Sequence, residues 1–190
     1  MSGPIDVLES RTVFRGSLLE VVVDRVRLPD GREATWEIVH HPGAAAVVPV
    51  AADGSVLLVR QSRHTVTTRL LELPAGKLDH DGEDPADCAR RELVEETGYR
   101  CGSLVGLGSV LASPGFSDER IHLFLATDLT LVGRPEVTDE GDDIEIEWVP
   151  MADAERAVRE GRIEDAKTAL GILLAAGHPA AAAGSNGRPR

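Results

Sequence analysis

Cysteine and aromatic residues are scarce in this chain, and the scarcity of cysteine excludes proteins held together by disulfides. Only two of the 190 residues are cysteines, and 3% are aromatic. Cys88 and Cys101 are too few for a disulfide framework and show no metal-ligand spacing, so the sequence favours a reduced, cytoplasmic setting. A chain of this length can bury one sizeable core without disulfides.

Basic residues are outnumbered, and long apolar runs are missing. Twenty Lys and Arg against 32 Asp and Glu give a net charge of −12, which disfavours nucleic acid and anionic membrane surfaces as partners. The longest apolar runs, residues 44–52 and 169–176, fall short of the roughly 20 residues that a membrane span needs. The first ten residues hold two acids and no basic cluster, so we expect no secretory signal there.

Runs rich in Val, Leu and Ile, separated by turn residues, predict a β-rich chain. The predicted strands cover residues 18–28, 34–39, 44–50, 56–60, 71–73, 104–111, 121–126 and 144–149. The turns Pro29-Asp30-Gly31 and Asp53-Gly54 predict that the first two pairs of strands form hairpins.

Capping residues mark one helix more clearly than any other element. Asp84 can cap its N-terminus, Pro85 suits the first helical position and Gly98 permits a left-handed stop. These signals predict a helix over residues 85–97. The other predicted helices cover residues 152–160 and 165–176.

Three regions organise the chain. Residues 1–42 are predicted to form an N-terminal antiparallel β extension, and residues 43–178 a mixed sheet flanked by helices. Residues 179–190 have too little apolar bulk to pack, so we expect a disordered tail. The predicted fold class is an α/β (α+β) sandwich.

Three glutamates crowd the last turns of the predicted 85–97 helix. At about 100° per residue, Glu92 and Glu96 lie about 40° apart on one edge. A divalent cation between them would relieve their repulsion, and oxygen ligands favour Mg²⁺ or Mn²⁺ over zinc. Arg91 can pair with Glu95 four residues on, leaving the other two carboxylates for the metal. The alternative is a solvated acidic face.

This segment resembles the Nudix box, a loop–helix–loop metal site. The residues that match its helical half are Arg91, Glu92, Leu93, Glu95, Glu96 and Gly98. Glu83 precedes Arg91 by the expected spacer of seven residues, but six residues rather than five separate Gly76 from Glu83. Tyr99 also replaces the final aliphatic residue, and the extra loop residue can be absorbed as a longer turn. The resemblance implies a Nudix-like sandwich and a hydrolase that cleaves a nucleoside diphosphate linked to another group.

The resemblance also implies how a metal would be held. Glu92, Glu96 and the backbone carbonyl of Ala75 would bind Mg²⁺, with Mn²⁺ as a substitute, and the cations would neutralise the diphosphate and activate a water. Glu95 would be a ligand through water or an orienting group in catalysis. The residues implied to tie the loop to the helix are Glu83 and Arg91.

A late acidic loop supplies the general base that the resemblance implies. In the resembled enzymes a glutamate on a mobile loop works with the metals, and here residues 139–143 precede a predicted strand. Glu140 is the first choice, three residues before Asp143, and Asp142 is the alternate. An ordinary solvated turn is the other interpretation.

Residues outside the box resemble the ADP-ribose pyrophosphatase branch of the family. Pro114, in SPGFSDE, lies sixteen residues after Gly98, which is the marker of that branch, whereas a lone Pro-Gly would indicate only a turn. The runs LELPAGKLD and RQSRH point the same way. The resemblance implies Mg²⁺-dependent hydrolysis of ADP-ribose to AMP and ribose 5-phosphate, with other nucleoside diphosphate sugars as alternative substrates.

The substrate-binding residues that the resemblance implies are Arg63, Trp36, Phe14, Pro114 and Glu119. Arg63 would contact a phosphate, which a guanidinium binds bidentately. Phe14 and Trp36 are candidates for an adenine sandwich, which the family builds from N-terminal elements of both subunits of a homodimer. Trp36 alternates with Ile38 along a predicted strand, so a core position is the alternative.

Two interpretations come from other classes of protein. A Nudix-fold module that binds ADP-ribose without cleaving it needs no metal-activated water, and the intact set of Glu92, Glu95 and Glu96 argues against it. An acidic interaction protein with merely solvated glutamates would show no Mg²⁺-dependent nucleotide binding.

Overall fold

The computed structural model describes residues 5–78, 82–133 and 144–182, within which the chain forms ten strands and four helices. The strands are β1 Asp6–Arg15, β2 Glu20–Arg27, β3 Glu33–His40, β4 Ala44–Pro49, β5 Ser55–Arg63, β6 Thr68–Glu72, β7 Ala75–Lys77, β8 Tyr99–Leu111, β9 Arg120–Leu131 and β10 Glu145–Pro150. The helices are α1 Pro85–Thr97, α2 Met151–Arg159, α3 Ala166–Ala176 and α4 Pro179–Ala182. Across these described ranges, no helix has both the length and the apolar character to cross a membrane.

The chain divides into two compact units. The first comprises residues 1–43 and 110–120, and the second comprises residues 44–109 and 121–190. In the first unit β1, β2 and β3 form an antiparallel sheet in that order. The predicted hairpin across Gly31 is confirmed, since β2 and β3 pair along their whole length. The pattern did not predict β1, whose residues are nearly all exposed.

The second predicted hairpin is wrong, because β4 and β5 belong to different sheets. β4 pairs with β7 and β9 in a sheet of order β7-β4-β9-β8, whereas β5 lies between β10 and β6. A single bridge between Val50 and Val56 joins the two runs. All of β4 except its first residue is buried, as expected for a central strand covered on both faces.

Helices cover both faces of the sheet that contains β4. On one face Ala45 and Val47 pack with Cys88, Ala89 and Leu93 of α1 in a buried apolar cluster. The next residue along β4, Val48, points to the opposite face, where α3 lies. A Cβ at Gly171 of α3 would come within 2.6 Å of Leu73 Cδ1, so a larger residue here would displace the Leu73 side chain. The prediction of a mixed sheet flanked by helices is confirmed.

Local signals fixed the ends of the helices. The Asp84 side chain accepts a hydrogen bond from the Ala86 N–H at 2.8 Å, and Gly98 ends α1 with a φ of 72°. Helix α1 therefore has the predicted bounds. Residues 179–182 form α4, contrary to the expected disorder of the tail, and residues 183–190 lie outside the described residues.

Candidate active site

The predicted metal site begins where β7 passes beneath α1. β7 runs antiparallel to the start of β4, which places Gly76 opposite Ala45. A Cβ at Gly76 would overlap the Glu92 carboxylate, so only glycine permits this approach. The structure thus explains why a glycine stands before the acidic helix.

Arg91 is the hub that connects the loop to α1. Its Nε and Nη2 atoms donate to the two oxygens of Glu83 at 3.0 and 3.1 Å, and Nη2 also donates to the Lys77 carbonyl at 3.3 Å. Nη1 donates to Glu95 at 3.1 Å, which confirms the predicted i,i+4 pair. The hydrogen bonds to Glu83 foremost, and then the negative charge of Glu92, raise the pKa of Arg91 above its ordinary value.

One detail of the prediction is wrong, because Arg91 does not leave Glu92 to the metal alone. Its Nη1 atom also donates to Glu92 Oε1 at 2.6 Å. Arg91 and Glu92 are adjacent in sequence, and a search for i,i+4 pairs does not consider contacts between adjacent residues. The same Nη1 atom bonds both Glu92 and Glu95. Arg91 therefore orients Glu92 as well as Glu95.

Glu96 is the most deeply buried carboxylate of this helix, with 7% of its surface exposed. Its Oε2 atom accepts a hydrogen bond from the Ala75 N–H at 3.1 Å. Burial, followed by the negative charge of Glu92, raises the pKa of Glu96 to about 8. The structure therefore brings Ala75, Glu92 and Glu96 together, as the resemblance implied.

This arrangement fits a hard divalent cation. A carboxyl whose ionisation is opposed by burial and by a neighbouring carboxylate gains from a nearby positive charge. Within the part of the chain that the structure describes, no group of three His, Cys, Asp or Glu side chains is placed to hold a metal by itself. Two carboxylates and one carbonyl leave positions for water and phosphate oxygens, which suits Mg²⁺.

Arg63, the predicted phosphate ligand, lies in an ion-pair network beside this site. Its Nε and Nη2 atoms donate to the two oxygens of Glu72 at 2.8 and 3.0 Å, and Lys167 Nζ donates to Glu72 at 2.5 Å. The charges of Arg63 and Glu72 both act on the Glu96 carboxyl. Sequence reasoning missed Glu72 and Lys167. The feature that could have identified Glu72 is an acidic residue between two leucines at the end of β6.

The first unit contains a cavity of about 780 Å³ between β3 and the 114–118 segment. Trp36 and Pro114 both line it, together with Phe116 and Asp118. Trp36 is 40% exposed, so the alternative of a core position is wrong. Sequence reasoning missed Phe116, which is 55% exposed and stands two residues after Pro114.

The segment that bears Pro114 is fixed to β3. The Val39 N–H donates to the Phe116 carbonyl at 2.8 Å, and the Asp118 N–H donates to the Val39 carbonyl at 3.2 Å. The Asp118 carboxylate also accepts from the His41 N–H at 2.9 Å and contacts the His40 ring at 2.6 Å. These bonds hold the aromatic wall of the cavity in place.

Three of the five predicted substrate residues, Arg63, Phe14 and Glu119, are not among the residues that line this cavity in the described structure. Phe14 lies on β1 opposite Val21 and contacts the position of Gly16. Glu119 lies with its carboxylate 3.9 Å from His41 Nδ1. The predicted base, Glu140, and its alternate Asp142 lie outside the described residues.

The fold and the site together define a class: an α/β sandwich that presents paired helix carboxylates over a strand glycine for a divalent cation. The NUDIX domain model matches residues 39–169, and the model of the nucleoside diphosphate sugar hydrolase N-terminal domain matches residues 5–39. The chain therefore belongs to the Nudix family, as the acidic helix indicated.

Individual relatives agree with this assignment. The ADP-ribose pyrophosphatase of Bacillus subtilis (strain 168) is 39% identical over 170 residues, which cover 87% of this chain and 91% of the relative. The ADP-ribose pyrophosphatase of Mycobacterium tuberculosis (strain ATCC 25618 / H37Rv) is 41% identical over 168 residues, covering 88% and 81%. A crystal structure of an ADP compounds hydrolase matches with a TM-score of 0.79 at 21% identity, covering 90% of this chain and 92% of that one. This last likeness confirms the Nudix-like fold.

Proposed function

We propose that the protein is an ADP-ribose pyrophosphatase that uses Mg²⁺, with Mn²⁺ as a substitute, to hydrolyse ADP-ribose to AMP and ribose 5-phosphate. The observation that carries the proposal is the convergence of Glu92 and Glu96 of α1 on the start of β7 at Ala75. The names of the two bacterial relatives support the choice of substrate.

The metal ligands in this proposal are Glu92, Glu96 and the Ala75 carbonyl. When bound, the cation supplies charge neutralisation of the diphosphate and an acidified water. Arg91 holds Glu92 and Glu95 in fixed orientations and ties them to Glu83, so the ligands are preorganised.

Two further groups have proposed roles toward the diphosphate. Arg63, whose side chain is one third exposed, binds two phosphate oxygens through its guanidinium. Glu140 acts as the general base on the attacking water, with Asp142 as the alternate. Glu95 lies on α1 beside the proposed metal ligands, and about a third of its side chain is exposed. Its proposed role is to bind the metal through water or to orient the attacking water.

The cavity of the first unit is proposed to bind the nucleobase. Trp36 offers an exposed ring, and Pro114 lies on the opposite wall. Stacking on such a ring contributes about 0.5–1.5 kcal/mol beyond burial. Phe14 and Glu119 remain proposed substrate contacts on the family resemblance, although neither lines this cavity in the described structure.

A product assay tests the proposal. Purified protein is incubated with Mg²⁺ and ADP-ribose, in parallel with ADP-glucose, NADH and diadenosine polyphosphates, and products are separated by chromatography. We expect AMP from ADP-ribose in preference to the panel, and loss of AMP with chelator or with Glu96→Gln. Asp87→Asn is the matched control, because Asp87 is an exposed acid on the same helix.

Two other outcomes would redirect the assignment. Preferential cleavage of ADP-glucose would make the protein a hydrolase of another nucleoside diphosphate sugar, which the description of the matching N-terminal model also accommodates. Binding of ADP-ribose by folded, metal-loaded protein without any hydrolysis would overturn the proposed enzymatic activity and favour a sensor of ADP-ribose.

A homodimer formed through the first unit is part of the proposal. β1 stands at the edge of its sheet and exposes Val7, Val13 and Phe14, an apolar strand edge of the kind that pairs with another chain. Light scattering should give twice the mass of 20.3 kDa. A monomer at micromolar concentration would exclude this arrangement.

The proposed setting is cytoplasmic, and the proposed ligand is a small nucleotide rather than nucleic acid or membrane. Cys88 and Cys101 are both buried free thiols, which supports a reduced compartment. Burial raises the pKa of the Cys88 thiol to about 12, so this group stays protonated and unreactive. The net charge of −12 disfavours polyanionic partners.

A further inference from the structure

Glu72, at the end of β6, is a buried carboxylate that two cations share. Only 1% of its surface is exposed. Arg63 donates to both of its oxygens, and Lys167 of α3 donates to Oε2. Burial opposes its ionisation, but the hydrogen bonds from Arg63 and the charge of Lys167 outweigh burial and hold its pKa below the ordinary value. Glu72 is therefore an anion with two partners.

The two partners differ in how far their side chains are exposed. The Lys167 side chain is 14% exposed, whereas the Arg63 side chain is 33% exposed. Lys167 is also held by Asp165, whose Oδ1 atom accepts from Nζ at 3.0 Å. Arg63 is thus the more exposed of the two cations that pair with Glu72, and Lys167 is the more buried one.

The first turn of α3 fixes Lys167 with respect to Glu72. The Asp165 carboxylate caps the helix by accepting from the Thr168 N–H at 2.9 Å and from its hydroxyl at 2.5 Å. The Thr168 hydroxyl oxygen in turn accepts from the Leu73 N–H at 2.8 Å. One helical turn therefore grips two successive residues of the strand end that leads to Ala75.

We propose that Lys167 is a positioning residue that keeps Glu72 charge-paired when Arg63 leaves it for a substrate phosphate. This inference rests on the proposed function, in which Arg63 binds the diphosphate. A buried carboxylate that loses its sole cation is strongly disfavoured, so Arg63 paired alone with Glu72 would be held back from the substrate. With Lys167 in place, one Glu72 oxygen keeps its ammonium partner and Arg63 is released.

Kinetics of Lys167→Met test the inference. Methionine keeps most of the volume but removes the charge, and we expect KM for ADP-ribose to rise at least 10-fold while kcat changes less than 3-fold. Lys167→Arg should restore KM to within 3-fold. Arg159→Gln, an exposed cation on α2, is the control that should leave both constants unchanged. An unchanged KM in Lys167→Met overturns the inference.

A double-mutant cycle separates this role from simple loss of stability. In Glu72→Gln the buried charge is absent, so Arg63 no longer has to neutralise it, and adding Lys167→Met should change KM less than 2-fold. A 10-fold rise that persists in the Glu72→Gln background would show that Lys167 acts through another contact, and would contradict the proposal.

A substrate-free measurement keeps the inference independent of the assigned reaction. Hydrogen exchange at the Arg63 Nε–H, followed by NMR, should slow at least 5-fold in Lys167→Met, because Arg63 then holds Glu72 alone. Slower exchange together with no hydrolysis of any panel member would refute the proposed function but leave the shared-carboxylate arrangement standing. Equal exchange in both proteins would refute the arrangement itself.

Discussion

Replacing Glu96 by Gln should stabilise the metal-free protein while it abolishes activity. The carboxyl is buried, accepts one hydrogen bond from Ala75 and lies beside Glu92, so its ionised form is disfavoured in the folded state. Glutamine keeps an acceptor for the Ala75 N–H and removes the charge. A glutamate that binds the metal therefore lowers the stability of the folded protein when the metal is absent.

The magnitude follows from the raised pKa. A change from 4.5 in the unfolded chain to about 8 in the fold disfavours the folded state at pH 7 by about 3 kcal/mol. The side-chain amide of the new glutamine has N–H donors without an acceptor, and this offsets about 1 kcal/mol of the gain. We expect Glu96→Gln to raise the free energy of unfolding by about 1–2 kcal/mol at pH 7 in chelator.

The pH dependence gives the sign of the effect. Between pH 4.5 and about 8 the folded state retains the Glu96 proton that the unfolded state has released, so this contribution to stability is present at low pH and is lost as the pH rises. The Glu96→Gln variant lacks this loss. Its advantage over the wild type should therefore grow from pH 5 to pH 8.

Urea denaturation in chelator at pH 5, 6, 7 and 8, followed by circular dichroism, measures the difference. Asp87→Asn on the same helix should lie within about 0.5 kcal/mol of the wild type at each pH, as expected for an exposed position. A Glu96→Gln variant that is less stable than the wild type at pH 8, or an advantage that shrinks with rising pH, would refute the reasoning.

Three other substitutions test separate parts of the structure. Gly76→Ala should weaken Mn²⁺ binding at least 10-fold by titration calorimetry, because the added Cβ displaces the helix carboxylate, whereas Gly106→Ala, which meets no atom within 4 Å, should leave it unchanged. Thr168→Val should lower the free energy of unfolding by about 1–3 kcal/mol, because the Leu73 N–H loses its acceptor; Thr168→Ser should recover most of this in the same urea titration, and equal losses would contradict the assignment. Trp36→Ala should raise KM for ADP-ribose by about 2- to 13-fold, the equivalent of 0.5–1.5 kcal/mol, and an unchanged KM would remove Trp36 from the nucleobase site.

The sequence predicted best those features that depend on residues close together in the chain. Asp84, Pro85 and Gly98 define the ends of α1 by local hydrogen bonds, and the structure has the predicted bounds. The pairing of β4 with β9 joins strands more than seventy residues apart, so the turn at Gly54 does not make a hairpin of β4 and β5. Strand pairing depends on which faces the rest of the chain covers, and one strand alone does not reveal this.

The candidate site divides in the same way. Glu92 and Glu96 were predictable because helical periodicity alone brings them to one edge. Lys167 was not predictable, because it contacts Glu72 across 95 positions of sequence. Phe116 was also missed, since its place in the cavity depends on the bonds that join its segment to β3. Contacts between distant segments complete a site whose centre is encoded locally.

The most direct test of the central claim is the rate of AMP formation from ADP-ribose as Mg²⁺ is titrated from chelator to millimolar concentration, for the wild type and Glu96→Gln. We expect a saturable rise with Mg²⁺ in the wild type and a loss of about 10²–10³-fold in the variant, as for the removal of a single stabilising group. Equal rates for the two proteins, or hydrolysis that persists in chelator, would contradict the claim that the Glu92 and Glu96 carboxylates of α1 form the catalytic metal site.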